Sequence, residues 1–251
     1  MHYTSPNVME PTEFDTQPRL RFTIFGGLLI ICVYLLLQFA TTFFSIFILG
    51  FDPLERMGDL VALGINASAI PCTGLIVLIL IRTRSIEPRS WLALFPVRTT
   101  HLIGWLVFTF VLLQLADFIT IKLGRSPIPP IMETMIETTS YTVLLWFALV
   151  IAAPVFEECL FRGFLFEGLR RTKIGVGGTI VVTTLPWTLL HVAQYDQYFL
   201  TLIALIGILL GIAREYSRSL YVPIAIHAVN NLLGTLQMSE KEAMIITVLF
   251  K

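Results

Sequence analysis

The chain has 251 residues, of which 56% are hydrophobic and 14% are charged. A soluble domain usually carries about 25% charged residues, so the composition excludes an ordinary soluble fold and indicates a polytopic membrane protein. Lys and Arg together number 17, as do Asp and Glu, and the resulting formal charge of zero gives no indication of nucleic-acid binding.

The first segment, residues 1–21, is polar, partly acidic and contains three prolines. We expect it to be a disordered cytoplasmic tail. It does not resemble a cleavable signal peptide, because the apolar run that follows it is too long for the hydrophobic region of one. Residues 22–251 are then expected to form a single membrane domain.

Seven apolar segments follow the tail and predict seven membrane-spanning helices. They cover residues 22–49, 60–81, 101–121, 142–166, 179–193, 197–213 and 220–236. The fifth has about 15 residues, which at 1.5 Å per residue is shorter than a ~30 Å hydrocarbon core, so we expect it to end inside the bundle. The predicted fold class is all-α: a polytopic transmembrane bundle of about seven to eight helices.

The loop charges predict the orientation of this bundle. Lys and Arg are roughly twice as frequent in the segments on the N-terminal side as in those on the opposite side, which predicts a multi-pass protein of the cell membrane with a cytoplasmic N-terminus. Trp91 and Trp105 flank a basic loop, and we expect both rings to anchor at the membrane interface.

Two further patterns concern helix packing and internal symmetry. Gly207 and Gly211 lie one turn apart in the sixth span, which is typical of close contact between helices. The sequence contains no internal repeat, so a transporter built from inverted halves gains no support.

Few ionisable groups lie inside the spans, and each is an expensive inclusion. On insertion scales a charge at the bilayer centre costs roughly 2.5–3.5 kcal/mol. Each such group must therefore be paired with an opposite charge, be hydrated or take part in the function of the protein. His101 and Asp117 lie near span ends, and we expect them at the interface. The polar residues predicted to lie deeper are Glu157, Glu158, Arg162, His191, His227, Asn230 and Asn231.

Spacing divides the three charges of the fourth span. Glu158 and Arg162 are four residues apart in the favourable order, so they share a helix face and can neutralise each other. Glu157 is rotated by about 100° from Glu158 and has no local counter-charge. An unpaired carboxylate in apolar surroundings is suited to act as a general acid or base. The alternative is one buried structural network containing all three charges.

The histidines extend this hypothesis. His191 follows Trp187, and Asn231 follows His227, each by four residues, so each pair shares a helix face. We expect them to converge with Glu157 on one hydrophilic intramembrane cavity, which would also lower the insertion cost. The set contains a base, imidazoles that can orient water, and donors for an oxyanion. It favours attack by an activated water on an acyl bond.

Metal catalysis is the competing chemistry. Glu157, His191 and His227 are suitable zinc ligands, but the compact His-Glu-x-x-His motif of metalloproteases is absent from the sequence. We therefore predict no metal and no other cofactor.

These residues resemble a known family. Three motifs occur in the order found in the CAAX-protease and bacteriocin-processing family: Glu157-Glu158-x-x-x-Arg162, an aromatic residue (Trp187) four before His191, and His227-x-x-x-Asn231. The members of this family are intramembrane glutamic endopeptidases, and they include the bacterial Abi proteins. The resemblance covers about residues 142–236. One departure is Trp187, where the family usually has Phe.

The resemblance implies an all-α membrane bundle and metal-independent hydrolysis of peptide bonds. Glu157 would be the general base, His191 would help hold the water, and His227 and Asn231 would stabilise the oxyanion. Glu158 and Arg162 would have supporting roles. The expected partners are the lipid bilayer and a peptide or protein substrate, prenylated or not.

Two other functions remain as alternatives. One is a non-catalytic membrane scaffold or bacteriocin-immunity protein that retains the pocket. Retention of all six motif residues favours the enzyme over this alternative, since a scaffold needs only the Glu158–Arg162 pair. The other, a transporter or proton relay, is weaker because the sequence lacks repeats and paired broken helices.

Overall fold

The computed structural model describes residues 13–83 and 86–249, with side chains for 20–83 and 86–238. Within these ranges the fold is all-α, as predicted. The helices are α1 (Glu13–Phe47), α2 (Met57–Arg82), α3 (Pro88–Trp91), α4 (Thr99–Lys122), α5 (Pro130–Glu137), α6 (Thr142–Leu169), α7 (Gly175–Leu189), α8 (Gln197–Ser217) and α9 (Tyr221–Leu249).

Each predicted span corresponds to one of these helices. In the described part of the chain, α1, α2, α4, α6 and α8 are long and apolar enough to cross a membrane. The shorter apolar helix α7 has 15 residues, or about 22 Å at 1.5 Å per residue. Helix α9 is long but carries the polar residues of the third motif. The chain is a multi-pass membrane protein.

The first helix begins before the first predicted span. It starts at Glu13, so residues 13–21 of the segment expected to be a disordered tail lie in α1. Residues 1–12 of that tail are outside the described residues.

Helix α6 occupies the centre of the bundle and α4 its periphery. In their most apolar stretches, 56% of the residues of α6 are buried but only 6% of those of α4. The main hydrophobic core joins α6 to α1, α2, α8 and α9 through Phe156, Leu160, Ile30, Cys72 and Ile226, among others. The central helix is also the one that carries Glu157, Glu158 and Arg162.

Close packing at glycine joins α8 to α7, as the sequence predicted. A Cβ atom on Gly207 would lie 2.7 Å from Thr184 Cγ2 and 2.9 Å from Trp187 Cε3, and one on Gly211 would lie 3.0 Å from Ile180 Cγ2. Real Cβ atoms essentially never lie closer than 3.0 Å to a neighbour, and a distance of 3.0 Å is already very tight, so a side chain at either glycine would require neighbouring atoms to shift. The glycines therefore bring α8 against the residues around Trp187.

Helix α6 is not a regular α-helix. Wider π-helical turns occupy Ala148–Ala152 and Cys159–Leu165, on either side of a short α-helical segment, Ala153–Glu158. Such turns leave backbone carbonyls to be satisfied from outside the helix. Side chains of other helices donate to them: Asn231 Nδ2 to Leu149 O at 2.8 Å, and Arg214 Nε to Arg162 O at 3.0 Å.

The prediction for Trp91 is wrong. Its side chain is buried, with 8% exposed, and its indole Nε1 donates to Phe164 O in the second wide turn at 3.1 Å. A Trp beside a basic loop is typical of an interface anchor, but this one fills the core because its N–H has a carbonyl to bond there. Trp105 is partly buried against the same core.

Asp59 connects the start of α2 to the turn before α6. Its buried carboxylate accepts hydrogen bonds from Thr139 Oγ1 at 3.0 Å, Ser140 N at 2.8 Å and Tyr141 N at 3.1 Å. The Arg56 guanidinium donates to its other oxygen at 2.7 Å. These bonds fix the entry of the chain into α6.

We predict that Asp59→Asn lowers the free energy of unfolding by about 2 kcal/mol, because hydrogen bonds to a buried charged acceptor are the strong ones. Thermal and denaturant unfolding of the purified protein in detergent would measure the change. Asp52→Asn is the matched control: this exposed carboxylate accepts one bond, from Leu54 N, and its loss should cost no more than about 0.5 kcal/mol. Equal effects of the two substitutions would contradict the prediction.

Candidate active site

A cavity of about 810 Å³ lies between the helices and contains all four residues predicted to be catalytic. Glu157, His191, His227 and Asn231 line it together, although they come from α6, the end of α7, and α9. Most of the remaining lining is apolar. The predicted convergence of these side chains on one cavity is present in the structure, although the cavity is mainly apolar and not hydrophilic as expected.

Glu157 and Glu158 point in different directions, as the helical spacing required. The Glu157 side chain is 13% exposed and that of Glu158 is fully buried. Glu157 Oε2 accepts a hydrogen bond from Trp187 Nε1 at 2.5 Å. It lies 4.0 Å from His227 Nε2, which is too far for a direct hydrogen bond. Glu157 therefore faces the cavity with one donor already in place.

Glu158 and Arg162 form the predicted ion pair, with Arg162 Nη1 donating to Glu158 Oε1 at 2.9 Å. Arg162 Nη2 also donates to Gly207 O at 3.0 Å. The same carboxylate oxygen of Glu158 lies 2.9 Å from His227 Nδ1, a contact that spacing along one helix could not reveal. The Glu158–Arg162 pair therefore holds the His227 imidazole through Nδ1, the ring nitrogen opposite the cavity.

The partners of the two histidines determine their proton positions. Nδ1 of His227 bonds a carboxylate paired with Arg162, and Nδ1 of His191 bonds the Trp187 carbonyl at 2.9 Å. Both acceptors require a hydrogen on Nδ1. In each neutral ring, Nε2 is then an acceptor. His227 Nε2 lies 4.0 Å from Glu157 Oε2. His191 lies two residues after Leu189, the last residue of α7, and its bond to the Trp187 carbonyl caps the helix end.

Asn231 has both a structural and a free hydrogen-bonding group. Its Nδ2 donates to Leu149 O, and its Oδ1 accepts from Asn230 Nδ2 at 3.0 Å. A side-chain amide carries two N–H groups, so one remains for a group inside the cavity. This residue thus links the first wide turn of α6 to the site.

Trp187 has a role that the sequence did not reveal. Beyond its bond to Glu157, its ring lies 4.6 Å from Arg162 Cζ in a cation–π contact, and it meets the rings of His191 and His227 edge-on at 5.2 and 5.5 Å. The signal was available in the residue type, because only Trp among the apolar aromatic residues carries an N–H donor.

Two other features of the site were not predicted. Tyr34 from α1 lines the cavity and stacks on Phe156 with ring centroids 4.5 Å apart. Asp117, expected at the interface, also lines the cavity. Among the residues that the structure describes, no group of three or more His, Cys, Asp or Glu side chains is placed to hold a metal ion.

The helical bundle and its enclosed polar groups define a polytopic membrane protein with an intramembrane site. Residues 139–233 match the family described as type II CAAX prenyl endopeptidase Rce1-like. The chain also resembles an uncharacterized 24.3 kDa protein of Escherichia coli, with 31% identity over 158 residues, which cover 59% of this chain and 71% of that protein. No solved structure matches significantly.

The chain belongs to the Rce1-like family of CAAX proteases. The matched residues include Glu157, Glu158, Arg162, His191, His227 and Asn231. Membership of this family implies a membrane-embedded protease, a hydrolase that acts on peptide or protein substrates.

We predict that Arg162→Met lowers the free energy of unfolding by about 3–5 kcal/mol, because it leaves the Glu158 carboxylate buried without its cation. The double variant Glu158→Gln/Arg162→Met removes both charges and should be more stable than the single variant. Unfolding in detergent would measure both. Equal losses would show that packing of the Arg162 side chain, rather than its charge, stabilises the centre of α6.

Proposed function

We propose that this protein is an intramembrane endopeptidase that hydrolyses a peptide bond with a water molecule activated by Glu157, without a metal ion. The observation that carries the proposal is the opposed pair of Glu157 Oε2 and His227 Nε2, 4.0 Å apart at the cavity surface. A single bridging water spans such a separation with an ordinary hydrogen bond to each atom.

In the proposed reaction Glu157 removes one proton from this water while its oxygen attacks the carbonyl carbon of the substrate. His227 accepts the other hydrogen of the water through Nε2 and so orients it, and the His191 ring helps to hold the water in the cavity. The new carbon–oxygen bond converts the carbonyl oxygen to an oxyanion. Collapse of the tetrahedral intermediate breaks the carbon–nitrogen bond, and the leaving amine takes the proton held by Glu157.

The oxyanion is stabilised by the groups around His227. The unused N–H of Asn231 is a donor, and His227 becomes one while its Nε2 shares the proton that Glu157 took from the water and that the amine later receives. The position of the Glu158–Arg162 pair behind the ring supports this role, since the Glu158 carboxylate stabilises an imidazolium through Nδ1. Glu158 and Arg162 are therefore positioning residues, which act through His227.

We further propose that the protein acts in protein or peptide maturation of the CAAX type. The family supports this assignment, and so do the apolar walls of the cavity, which include Leu112, Met135 and Leu205. Such walls suit apolar residues next to the scissile bond, with or without a prenyl group. We also propose a cytoplasmic N-terminus in the cell membrane, supported by the basic residues Arg170 and Arg171 at the end of α6.

We predict that Glu157→Gln abolishes cleavage of peptides by the purified protein in detergent, with a loss of at least about 1000-fold, because the amide cannot accept the proton of the water. The wild-type protein should cleave equally well with and without a chelator. Loss of activity on chelation would indicate a metal mechanism. Cleavage by neither protein, across a set of candidate peptides, would favour the non-catalytic scaffold or immunity function.

We further predict that Trp187→Phe lowers kcat about tenfold with little change in KM, because it removes one hydrogen bond to the Glu157 carboxylate but keeps the aromatic ring. Trp105→Phe is the matched control, since Trp105 packs on the core outside the cavity. A change in KM alone, or equal effects of the two substitutions, would contradict a positioning role for the indole.

A further inference from the structure

A second polar region lies in the same cavity, away from the proposed catalytic groups. Asp117 from α4 and Gln237 from α9 both line the cavity, and Gln237 Nε2 donates to Asp117 Oδ2 at 3.0 Å. Gln114, one turn before Asp117 on α4, lines it as well. The proposed chemistry uses none of these three residues.

Asp117 has no cationic partner among the described residues. The basic side chains close to it in the chain are already engaged: Arg125 forms an ion pair with Asp196 and lies 4.7 Å from the Tyr198 ring, and Lys122 Nζ lies 5.4 Å from the Phe118 ring. The Phe199 amide, followed by the Arg125 guanidinium, holds the pKa of the Asp196 carboxyl below its ordinary value. Asp196 therefore stays ionised and keeps Arg125 occupied.

A carboxylate in a membrane helix is an expensive group to leave without a counter-charge. The Gln237 amide supplies one neutral hydrogen bond and orients the carboxylate, but it does not neutralise the charge. A carboxylate that faces a mainly apolar cavity is suited to a cation brought by a ligand. An ammonium or guanidinium group fits this chemistry.

The separation of the two polar regions sets where that cation must lie in a substrate. Gln237 is ten residues after His227 on α9, which corresponds to about 15 Å of helix. An extended peptide advances about 3.3 Å per residue. A peptide whose scissile bond lies at Glu157 and His227 therefore reaches Asp117 roughly four to five residues away.

We propose that Asp117, oriented by Gln237, is a specificity subsite that binds a cationic group of the substrate, about four to five residues from the scissile bond. The inference rests on the proposed function, since it takes its distance from the catalytic groups. The cation is a Lys or Arg side chain or the free α-amino group of a peptide. Both offer the same charge to the carboxylate.

The test measures binding separately from cleavage. Full-length Glu157→Gln protein in detergent is titrated with fluorescent apolar peptides in which one Lys is moved through successive positions, each paired with a norleucine peptide. With an acetylated N-terminus, the Lys peptide of correct register should bind about tenfold more tightly than its norleucine partner. With a free N-terminus and no Lys, the same gain at one peptide length would identify the α-amino group as the ligand.

Asp117→Asn, added to the Glu157→Gln protein, should remove this preference and leave the affinity for norleucine peptides unchanged. Asp52→Asn, which removes an exposed carboxylate outside the cavity, is the charge-matched control. Asp117→Lys should reverse the preference in favour of Glu peptides. A Lys preference that persists in Asp117→Asn, or an equal loss for Lys and norleucine peptides, would overturn the proposal and leave Asp117 a structural partner of Gln237.

Cleavage by protein with Glu157 intact distinguishes the two proposals. A register-dependent Lys preference in binding, without cleavage of any peptide, would reject the hydrolytic function and retain the cation subsite. Cleavage that depends on Glu157 but is insensitive to Lys and to Asp117→Asn would retain the hydrolytic function and reject the subsite.

Discussion

The site depends on one oxygen atom of a buried carboxylate. Glu158 Oε1 lies 2.9 Å from both Arg162 Nη1 and His227 Nδ1, and Arg162 donates in turn to the Gly207 carbonyl. Because a buried charge is stable only while its partners stay in place, this group of contacts fixes α6, α8 and α9 relative to one another. The same contacts set the ring of His227, and hence the place of its Nε2 opposite Glu157.

The irregular shape of α6 is a second constraint on the packing around these charges. A π-helical turn on either side of Ala153–Glu158 leaves carbonyls that a regular helix would satisfy internally. Inside a membrane such groups are tolerated only where neighbouring helices bond them, and Asn231, Trp91 and Arg214 do so. Asn231 therefore connects the backbone of the central helix directly to the cavity. Stability and the proposed chemistry share this residue.

Much of the fold and part of the site could be predicted from the sequence. Apolar segments of sufficient length predicted the spans because a bilayer sets the length of a helix that crosses it. The cost of charge in the membrane singled out the polar residues, and the interval of four residues paired Glu158 with Arg162. Trp91 was misplaced because an indole N–H bonds equally well to interfacial water and to a buried carbonyl. Asp117 was expected only at the interface, since nothing in α4 shows that it faces Gln237.

By itself, then, the sequence determined the class of protein, the approximate positions of the seven apolar helices and the contacts within one helix, because the 3.6-residue period places side chains on a helix face wherever the helix lies. Only the tertiary structure decided that Trp187 donates to Glu157, that His227 bonds Glu158 and that Asp117 shares the cavity with Gln237. These contacts join different helices, and they depend on how each helix is rotated and how closely it approaches its neighbour. That approach is set by packing, as where Gly207 brings α8 against Trp187.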